Sequence, residues 1–298
     1  MLQDVFPGLL ALAGRVVGLG LERPLVKALG QGRDSVAATT LYFGVGELLL
    51  LPLIAWQWAT APDYASQMGV WIKFAALSGV IYAISFNTYV WGMSVGEVSL
   101  LTPLYATMFI WLYLLDVLVW GAPVTVLPVL GILAVTAGVV FLNVAPGRPL
   151  AQALSPLAVL RQPGAWGMLI YAFGLALGRI IDNAGAPIAP PALYALCSNA
   201  PCVLGGLAYL AWRGRGAAFT QLARQRLRVA TIGAFAGMYA YVLMLVALDY
   251  FRPSVVEPFS QLSVFIAIAL GGLWFKEPVR ARWGGAVLVV VGAALLLL

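Results

Sequence analysis

The sequence contains no histidine and only two cysteines among its 298 residues. Without histidine, a histidine-ligated zinc or haem site and a serine–histidine catalytic triad are excluded. The two cysteines, Cys197 and Cys202, lie in one apolar segment. On a helix of 3.6 residues per turn they face different ways, and we interpret them as small core residues. The chemistry left open therefore depends on carboxylates, cationic side chains and aromatic rings.

Charge is also scarce, since 9% of the residues are charged and 62% are hydrophobic. A soluble domain carries about 25% charged residues and about 45–50% apolar residues. No folded globule of this size has enough interior to bury so much apolar surface. The composition therefore excludes a soluble cytosolic enzyme, a nucleic-acid-binding domain and a disordered chain. It indicates a polytopic membrane protein, with room for about ten spans of about 20 residues each.

Apolar runs of membrane-spanning length are separated by mostly short connections. Helices suit these runs, because the lipid interior offers no water to satisfy open backbone groups. The alternation of an outer-membrane barrel strand is missing from them. No cleavable signal peptide is visible, so we expect the first run to be a mature span. The predicted spans are residues 6–29, 35–58, 70–93, 98–120, 124–144, 164–186, 191–212, 229–250, 254–275 and 281–298.

The two halves of the chain show the same order of motifs. A shift of 155 residues places Thr102-Pro103 on Glu257-Pro258, early in the fourth span of each half. A shift of 156 places Arg23 on Arg179. Five spans per half is an odd number, so the second half enters the membrane from the opposite side. We predict an all-α integral membrane fold of ten transmembrane helices in two inverted five-helix repeats. The predicted bounds are 1–145 for the first repeat, 146–163 for the linker and 164–298 for the second repeat.

The last third of the chain carries the most specific sequence features. Residues 251–258 (FRPSVVEP) lead into an apolar helix that ends at 271–278 (GGLWFKEP), and a glycine-rich helix follows. Residues 96–103 (GEVSLLTP) and 121–125 (GAPVT) repeat this arrangement in the first half. In these features the chain resembles the drug/metabolite transporter superfamily, of the ten-helix EamA type. It departs from the family at Ala122, where an acid is common.

The resemblance implies that helices one to four and six to nine surround a central cavity, with helices five and ten outside it. Here those two helices are rich in small residues, which let helices approach closely. The pattern suits packing within a monomer or a contact in a homodimer. The small residues are Gly131, Ala134, Ala137 and Gly138 in the fifth span and Gly284, Gly285, Gly292 and Ala293 in the tenth.

Several ionisable residues fall inside the predicted spans, where each costs about 2.5–3.5 kcal/mol on insertion scales. Arg15 and Glu47 lie about 21 Å and about 18 Å from the same membrane face, so they can meet near the midplane. Arg179 and Glu257 also share a depth, and Asp182 is a second possible partner of Arg179. Such pairs either fix helix packing or line a cavity for substrate or a proton, and the sequence leaves both open.

The repeat relates Arg23 to Arg179 and places them on opposite sides of the midplane. Because arginine binds carboxylate and phosphate groups well, an anionic or zwitterionic substrate could pass between them. The alternative is that Arg23 snorkels to one face and Arg179 is tied to an acid. Glu257 is the preferred proton carrier. Asp116 lies near a span end, where snorkelling suffices as an explanation.

Aromatic and amide side chains add further candidates for a cavity wall. Tyr82, Tyr105 and Tyr239 lie on predicted spans, and Gln261 follows Glu257 by one helical turn. Aromatic rings bind other rings, or cations through their π faces. The alternative is ordinary helix packing.

We interpret the chain as a secondary transporter that moves a small organic metabolite or drug by alternating access. The sequence has no phosphate-binding Gly-x-x-x-x-Gly-Lys run, so a proton or an exchanged ion would supply the coupling. Its expected partners are the lipid bilayer and the substrate, with no cofactor, no metal, no catalytic residues and no nucleic acid. The alternatives are a non-transporting membrane subunit, a component of a lipid or lipid-carrier flippase and, least favoured, a lipid-acting enzyme.

The cationic residues of the connections predict the orientation in the membrane. Loops after odd-numbered spans hold ten cations, and the other side holds only Arg252 and Lys73. By the positive-inside rule both termini then lie outside the cytoplasm, most simply in a bacterial inner membrane, although many family members keep them inside. The ten cations are Arg33, Arg148, Arg161, Arg213, Arg215, Arg224, Arg226, Arg228, Lys276 and Arg280.

Overall fold

The structure of the protein is a computed structural model. It describes residues 2–30, 33–60, 66–95, 102–143, 160–161, 164–263, 265–266, 269–270 and 283–296.

Helices make up the regular structure of the described residues. The α-helices are α1 Leu2–Gly30, α2 Ser35–Thr60, α3 Met68–Val95, α4 Thr107–Trp120, α5 Val126–Asn143, α6 Ala165–Gly185, α7 Pro191–Trp212, α8 Gly216–Ala247, α9 Pro253–Ser260 and α10 Trp283–Leu295. Two short 3-10 helices, Thr102–Ala106 and Ala186–Ile188, precede α4 and α7. Each apolar run predicted from the sequence overlaps one of these α-helices. Within the described residues, six helices are long and apolar enough to cross a membrane, and they are α1, α2, α3, α6, α7 and α8.

The start of α8 differs from the prediction. The sequence placed a connection up to Arg228, but the helix begins at Gly216 and runs for 32 residues. Its first turns are rich in Ala, Leu, Gln and Arg, which are all good helix formers, so charge alone does not end the helix. Arg224, Arg226 and Arg228 therefore belong to the amino-terminal part of α8, and the charge count on that side is unchanged.

Helix contacts divide the chain into two compact units, and each unit draws on both halves of the sequence. Unit 1 contains Met1–Ala83 and Ile181–Phe251, and unit 2 contains Ile84–Ile180 and Arg252–Leu298. In unit 1, α8 packs against α1 and α2, and α7 packs against α2 and α8. Asp34 caps the amino terminus of α2, because its Oδ1 accepts hydrogen bonds from the backbone N–H groups of Val36 and Ala37 at 3.0 and 3.1 Å.

In unit 2 a glycine seam joins α5 to α10. The seam consists of Gly131 and Gly138 on α5 and Gly285 and Gly292 on α10. A Cβ added at Gly138 would lie 2.7 Å from the carbonyl oxygen of Gly285, and one at Gly292 would lie 2.6 Å from that of Gly131. The small residues therefore pack within one chain. The two helices lie so close together that neither has room for a side chain at these positions. Beside the seam lies a core cluster of Ala106, Phe109, Ile132, Val135, Val139, Val289 and Leu296.

Candidate functional site

The central feature of unit 2 is an ion pair inside the apolar helices. Arg179 Nε on α6 lies 2.6 Å from Glu257 Oε1 on α9, and the side chains are 13% and 4% exposed. We call this the Arg179–Glu257 pair. A bare charge in such surroundings is costly, and an opposite charge in contact offsets part of that cost. The structure thus brings together two residues that the sequence placed at one depth.

A buried carboxylate anchors the helix that carries Glu257. Asp116 on α4 is 0% exposed, and its Oδ2 accepts a hydrogen bond from the backbone N–H of Ser254 at 3.0 Å. Ser254 lies in the first turn of α9, where backbone N–H groups have no partner within the helix. The expectation that Asp116 snorkels at a span end is therefore wrong. It fixes the start of α9, three residues before Glu257.

The backbone departs from α-helical geometry at two positions of unit 2 that the repeat relates. A 3-10 helix, Thr102–Ala106, leads directly into α4 at the first position, and a turn at Gln261 and Leu262 follows α9 at the second. In that turn the backbone N–H groups of Gln261 and Leu262 bond three residues back, to Pro258 and Phe259, both at 3.0 Å. The shift of 155 residues carries 102–106 onto 257–261. Gln261, a predicted site residue, lies in this turn and is 5% exposed.

Aromatic rings gather around Tyr171, one residue that sequence reasoning missed. Its ring lies 4.7 Å from Tyr89, 5.6 Å from Phe86 and 5.8 Å from Tyr105, centroid to centroid, and it stacks on Tyr105. We call these four residues the Tyr171 cluster. Tyr171 lies within electrostatic range of both Arg179 and Glu257. Its place two turns before Arg179 on one helix was the signal available in the sequence.

Unit 1 holds a second buried carboxylate with a different set of partners. Asp182 on α6 is 0% exposed and accepts hydrogen bonds from three tyrosine hydroxyls. Tyr82 on α3 donates to Oδ2 at 2.5 Å, Tyr241 on α8 donates to Oδ2 at 3.0 Å, and Tyr194 on α7 donates to Oδ1 at 3.1 Å. We call these four residues the Asp182 network. Of the three tyrosines, the sequence singled out only Tyr82, because hydroxyls from separate helices leave no joint pattern along the chain.

The remaining predicted residues have separate surroundings in unit 1. Arg15 is buried, and its Nη1 donates to the carbonyl of Ala240 at 3.3 Å. Glu47 Oε1 is buried and has no hydrogen-bond partner in the described part of the chain. Tyr239 donates to the carbonyl of Leu49 at 3.4 Å, which is a weak contact. The side chain of Arg23 lies outside what the structure describes.

Metal ligands do not gather in the described residues. No group of three or more Asp, Glu or Cys side chains within them is arranged to hold a metal ion.

The profile of the EamA-like transporter family matches this chain twice, over residues 6–144 and 162–298. The chain belongs to the EamA-like transporter family. Like other members, it is a multi-pass integral membrane protein of the drug/metabolite transporter superfamily with a two-repeat architecture. Membership of this family implies that the protein lies in the lipid bilayer and that its substrate is a small molecule.

One solved crystal structure, described only as that of a protein, is 18% identical to this chain with a TM-score of 0.68. The alignment covers 97% of this chain and 95% of the other, so the EamA-like protein shares its fold with that structure over nearly its full length. No curated protein sequence matches it.

Proposed function

We propose that the protein is a secondary transporter of ten spans in two inverted repeats, which moves a small organic metabolite or drug by alternating access. We further propose that the Arg179–Glu257 pair is part of its substrate site. The observation that carries the proposal is this buried ion pair of a transporter-family chain, in the same unit as a 3-10 helix and a turn at repeat-related positions.

The chemistry of the pair supports a binding role. An arginine guanidinium carries five N–H donors in a planar fork, and this geometry binds carboxylate and phosphate groups through two parallel hydrogen bonds. Arg179 therefore has the chemistry to bind an anionic group of a substrate. For packing alone, apolar residues of similar volume would serve as well as a buried ion pair, or better.

The 3-10 helix at 102–106 and the turn after α9 support the same location. In inverted-repeat transporters, broken or proline-interrupted helices at corresponding positions of the two halves mark the substrate site, because their open backbone groups bind polar ligands. Here Pro103 and Pro258 occupy corresponding positions of the repeat. The Tyr171 cluster adds aromatic surface within electrostatic range of the pair. The favoured substrates are therefore anionic or zwitterionic organic molecules, with a ring or apolar part that can contact tyrosine.

The test begins with a thermal-shift screen of the detergent-purified protein against amino acids, sugar phosphates, nucleosides and cationic drugs. A ligand at 100 times its dissociation constant raises the free energy of unfolding by about 2.7 kcal/mol. The compound found is then used in a liposome uptake assay with Glu257→Gln and Arg179→Ala. We expect both variants to be made in normal amounts and to lose uptake.

Two further variants separate binding from packing. The exchanged pair, Arg179→Glu with Glu257→Arg, restores an ion pair without restoring a substrate site, so we expect a folded but inactive protein. Arg215→Ala removes the exposed ion pair of Arg215 and Asp34, whose atoms lie 3.1 Å apart, and should leave uptake unchanged. Full uptake in the exchanged variant would show that the pair is only a structural bridge.

We also propose that both termini lie outside the cytoplasm. The cationic residues support this orientation, since ten fall on one side and two on the other. A carboxy-terminal reporter that is active only in the cytoplasm should give no signal. A strong signal would reverse the orientation.

A further inference from the structure

Glu47 lies in the middle of α2, a helix long and apolar enough to span a membrane. It is twelve residues after Ser35 and thirteen before Thr60, about 18 Å along the helix axis from its start. It shares one helix face with Phe43 and Leu50, which are 8% and 0% exposed. This face packs into unit 1, so Glu47 does not simply reach water at a helix end.

Glu47 differs in its hydrogen bonds from four other helical carboxylates, those of Glu22, Asp116, Asp182 and Glu257. Each of these accepts a hydrogen bond or forms an ion pair, whereas Glu47 Oε1 is buried and accepts no hydrogen bond from any described residue. Their partners are Tyr42 for Glu22, the Ser254 backbone N–H for Asp116, three tyrosines for Asp182 and Arg179 for Glu257.

At the level of Glu47, α7 and α8 contribute thiol, thioether and phenol groups, and α1 contributes Arg15. From α7, the thiols of Cys197 and Cys202 lie in the neighbourhood of Glu47. From α8, Met238 meets Gly46, the residue before Glu47, and Tyr239 donates to the Leu49 carbonyl. From α1, Arg15 directs its Nη1 to the carbonyl of Ala240. Among the described residues, no cation neutralises Glu47.

A carboxylate among apolar helices is destabilised as an anion when its buried oxygen accepts no hydrogen bond and no described cation contacts it. Binding of a proton removes that cost. Glu257 is in the opposite situation, since the guanidinium of Arg179 is permanently charged and stabilises the carboxylate form. The two acids therefore differ in what stabilises their charge, since Glu257 contacts a guanidinium and the buried oxygen of Glu47 has no described partner.

We propose that Glu47, rather than Glu257, is the carboxyl group that binds the coupling proton of this transporter. The inference rests on the proposed transport function and assigns separate tasks to the two acids. Glu257 with Arg179 binds the substrate, and Glu47 takes up and releases the proton. Because Glu47 is only half-buried, proton exchange does not require the packed core to open.

The first test reads proton occupancy without any substrate. Infrared spectra of the purified protein in liposomes, recorded over a pH series, report the C=O stretch of protonated carboxyl groups. We expect such a band in the wild-type protein at neutral pH and its decline as the pH rises. The band should be lost in Glu47→Gln and kept in the matched variant Glu257→Gln. An unchanged band in Glu47→Gln, or no protonated band in the wild type, would overturn the assignment.

A second measurement needs no variant and so remains valid if Glu47→Gln does not fold. Dicyclohexylcarbodiimide reacts with protonated carboxyl groups in apolar surroundings, and mass spectrometry of peptides locates the adduct. We expect the adduct on Glu47 and not on Glu257, with less labelling at high pH. Labelling of Glu257 alone, or of neither residue, contradicts the proposal.

The third test links the proton to transport, with the compound found in the thermal-shift screen. An imposed proton gradient should drive its accumulation in wild-type liposomes. Glu47→Gln should lose this accumulation and keep exchange of labelled for unlabelled substrate, whereas Arg179→Ala should lose both. Accumulation that survives in Glu47→Gln refutes the coupling role. If no compound is transported at all, the proposed function fails, and the infrared result still decides whether Glu47 binds a proton.

Discussion

The two units of the protein each bury a carboxylate, but they hold it in different ways. In unit 1, Asp182 accepts hydrogen bonds from tyrosines on three other helices. In unit 2, Glu257 forms an ion pair with Arg179, whose Nε lies 2.6 Å from Oε1. A carboxylate ringed by neutral hydroxyls ties helices together and has little reason to change partners. A carboxylate beside one guanidinium can exchange that partner for a charged ligand, so the comparison separates an element of the fold from a candidate element of function.

The packing contacts in each unit agree with this distinction between a structural carboxylate in unit 1 and a candidate functional one in unit 2. The core cluster of unit 2 and its glycine seam include neither Arg179 nor Glu257. The pair can therefore change without removing the packing that holds α5 and α10 together. In unit 1, by contrast, the Asp182 network joins α3, α6, α7 and α8 directly. The units should accordingly respond differently to the loss of their carboxylates.

The largest effect should come from Asp182→Ala. The hydroxyls of Tyr82 and Tyr194 lose their Asp182 acceptor, at about 1–3 kcal/mol each, whereas Tyr241 keeps Ser198 Oγ at 3.0 Å, so the free energy of unfolding should fall by at least about 2 kcal/mol. Thermal unfolding followed by size-exclusion chromatography in detergent measures the loss. Glu257→Gln is the comparison in unit 2, because its amide oxygen still accepts from Arg179, and it should lose less. Equal stability of the two variants would remove the distinction between the units.

An intermediate effect should follow from Gly138→Ala in the glycine seam. The added Cβ would meet backbone atoms of α10, which cannot move aside as a flexible side chain can, and overpacking of this kind costs about 1–3 kcal/mol. Gly284→Ala is the matched control on α10, because a Cβ there meets no described atom within 4 Å. The control should change the free energy of unfolding by less than about 0.5 kcal/mol. A Gly138 variant as stable as this control would show that the helices are not closely packed there.

The smallest effects are expected for two tyrosines of unit 1. One donates to Asp182 in the Asp182 network, and the other makes a weak hydrogen bond elsewhere. Tyr194→Phe removes a donor at 3.1 Å from Asp182, and we expect a loss of about 1 kcal/mol. Tyr239→Phe removes the 3.4 Å bond to Leu49 and should be nearly neutral. Melting temperatures of the two variants in one detergent provide the measurement. Should Tyr239→Phe be the more damaging, Tyr239 would have a role that its contacts do not explain.

Helices could be predicted from the sequence because lipid permits few other structures, and composition and run length are local properties. The start of α8 was the exception, since charged residues were interpreted as a connection although they also form helix well. The shared depth of Arg179 and Glu257 followed from counting residues along two spans. The partner of Asp116 did not, because Ser254 lies 138 residues away and donates a backbone N–H that no side-chain pattern reveals.

The sequence by itself determined that this protein spans the membrane as helices, that its halves repeat and that it belongs with the EamA-like transporters, since these follow from composition, run length and local motifs. Only the tertiary structure decided which buried charges meet. Hydrogen bonds and ion pairs depend on distances of about 3 Å between atoms of separate helices, and residue counting locates a side chain only to about a helical turn. It therefore took the folded chain to give Asp182 its three tyrosines and Glu257 its arginine, and to leave Glu47 without a partner among the residues described.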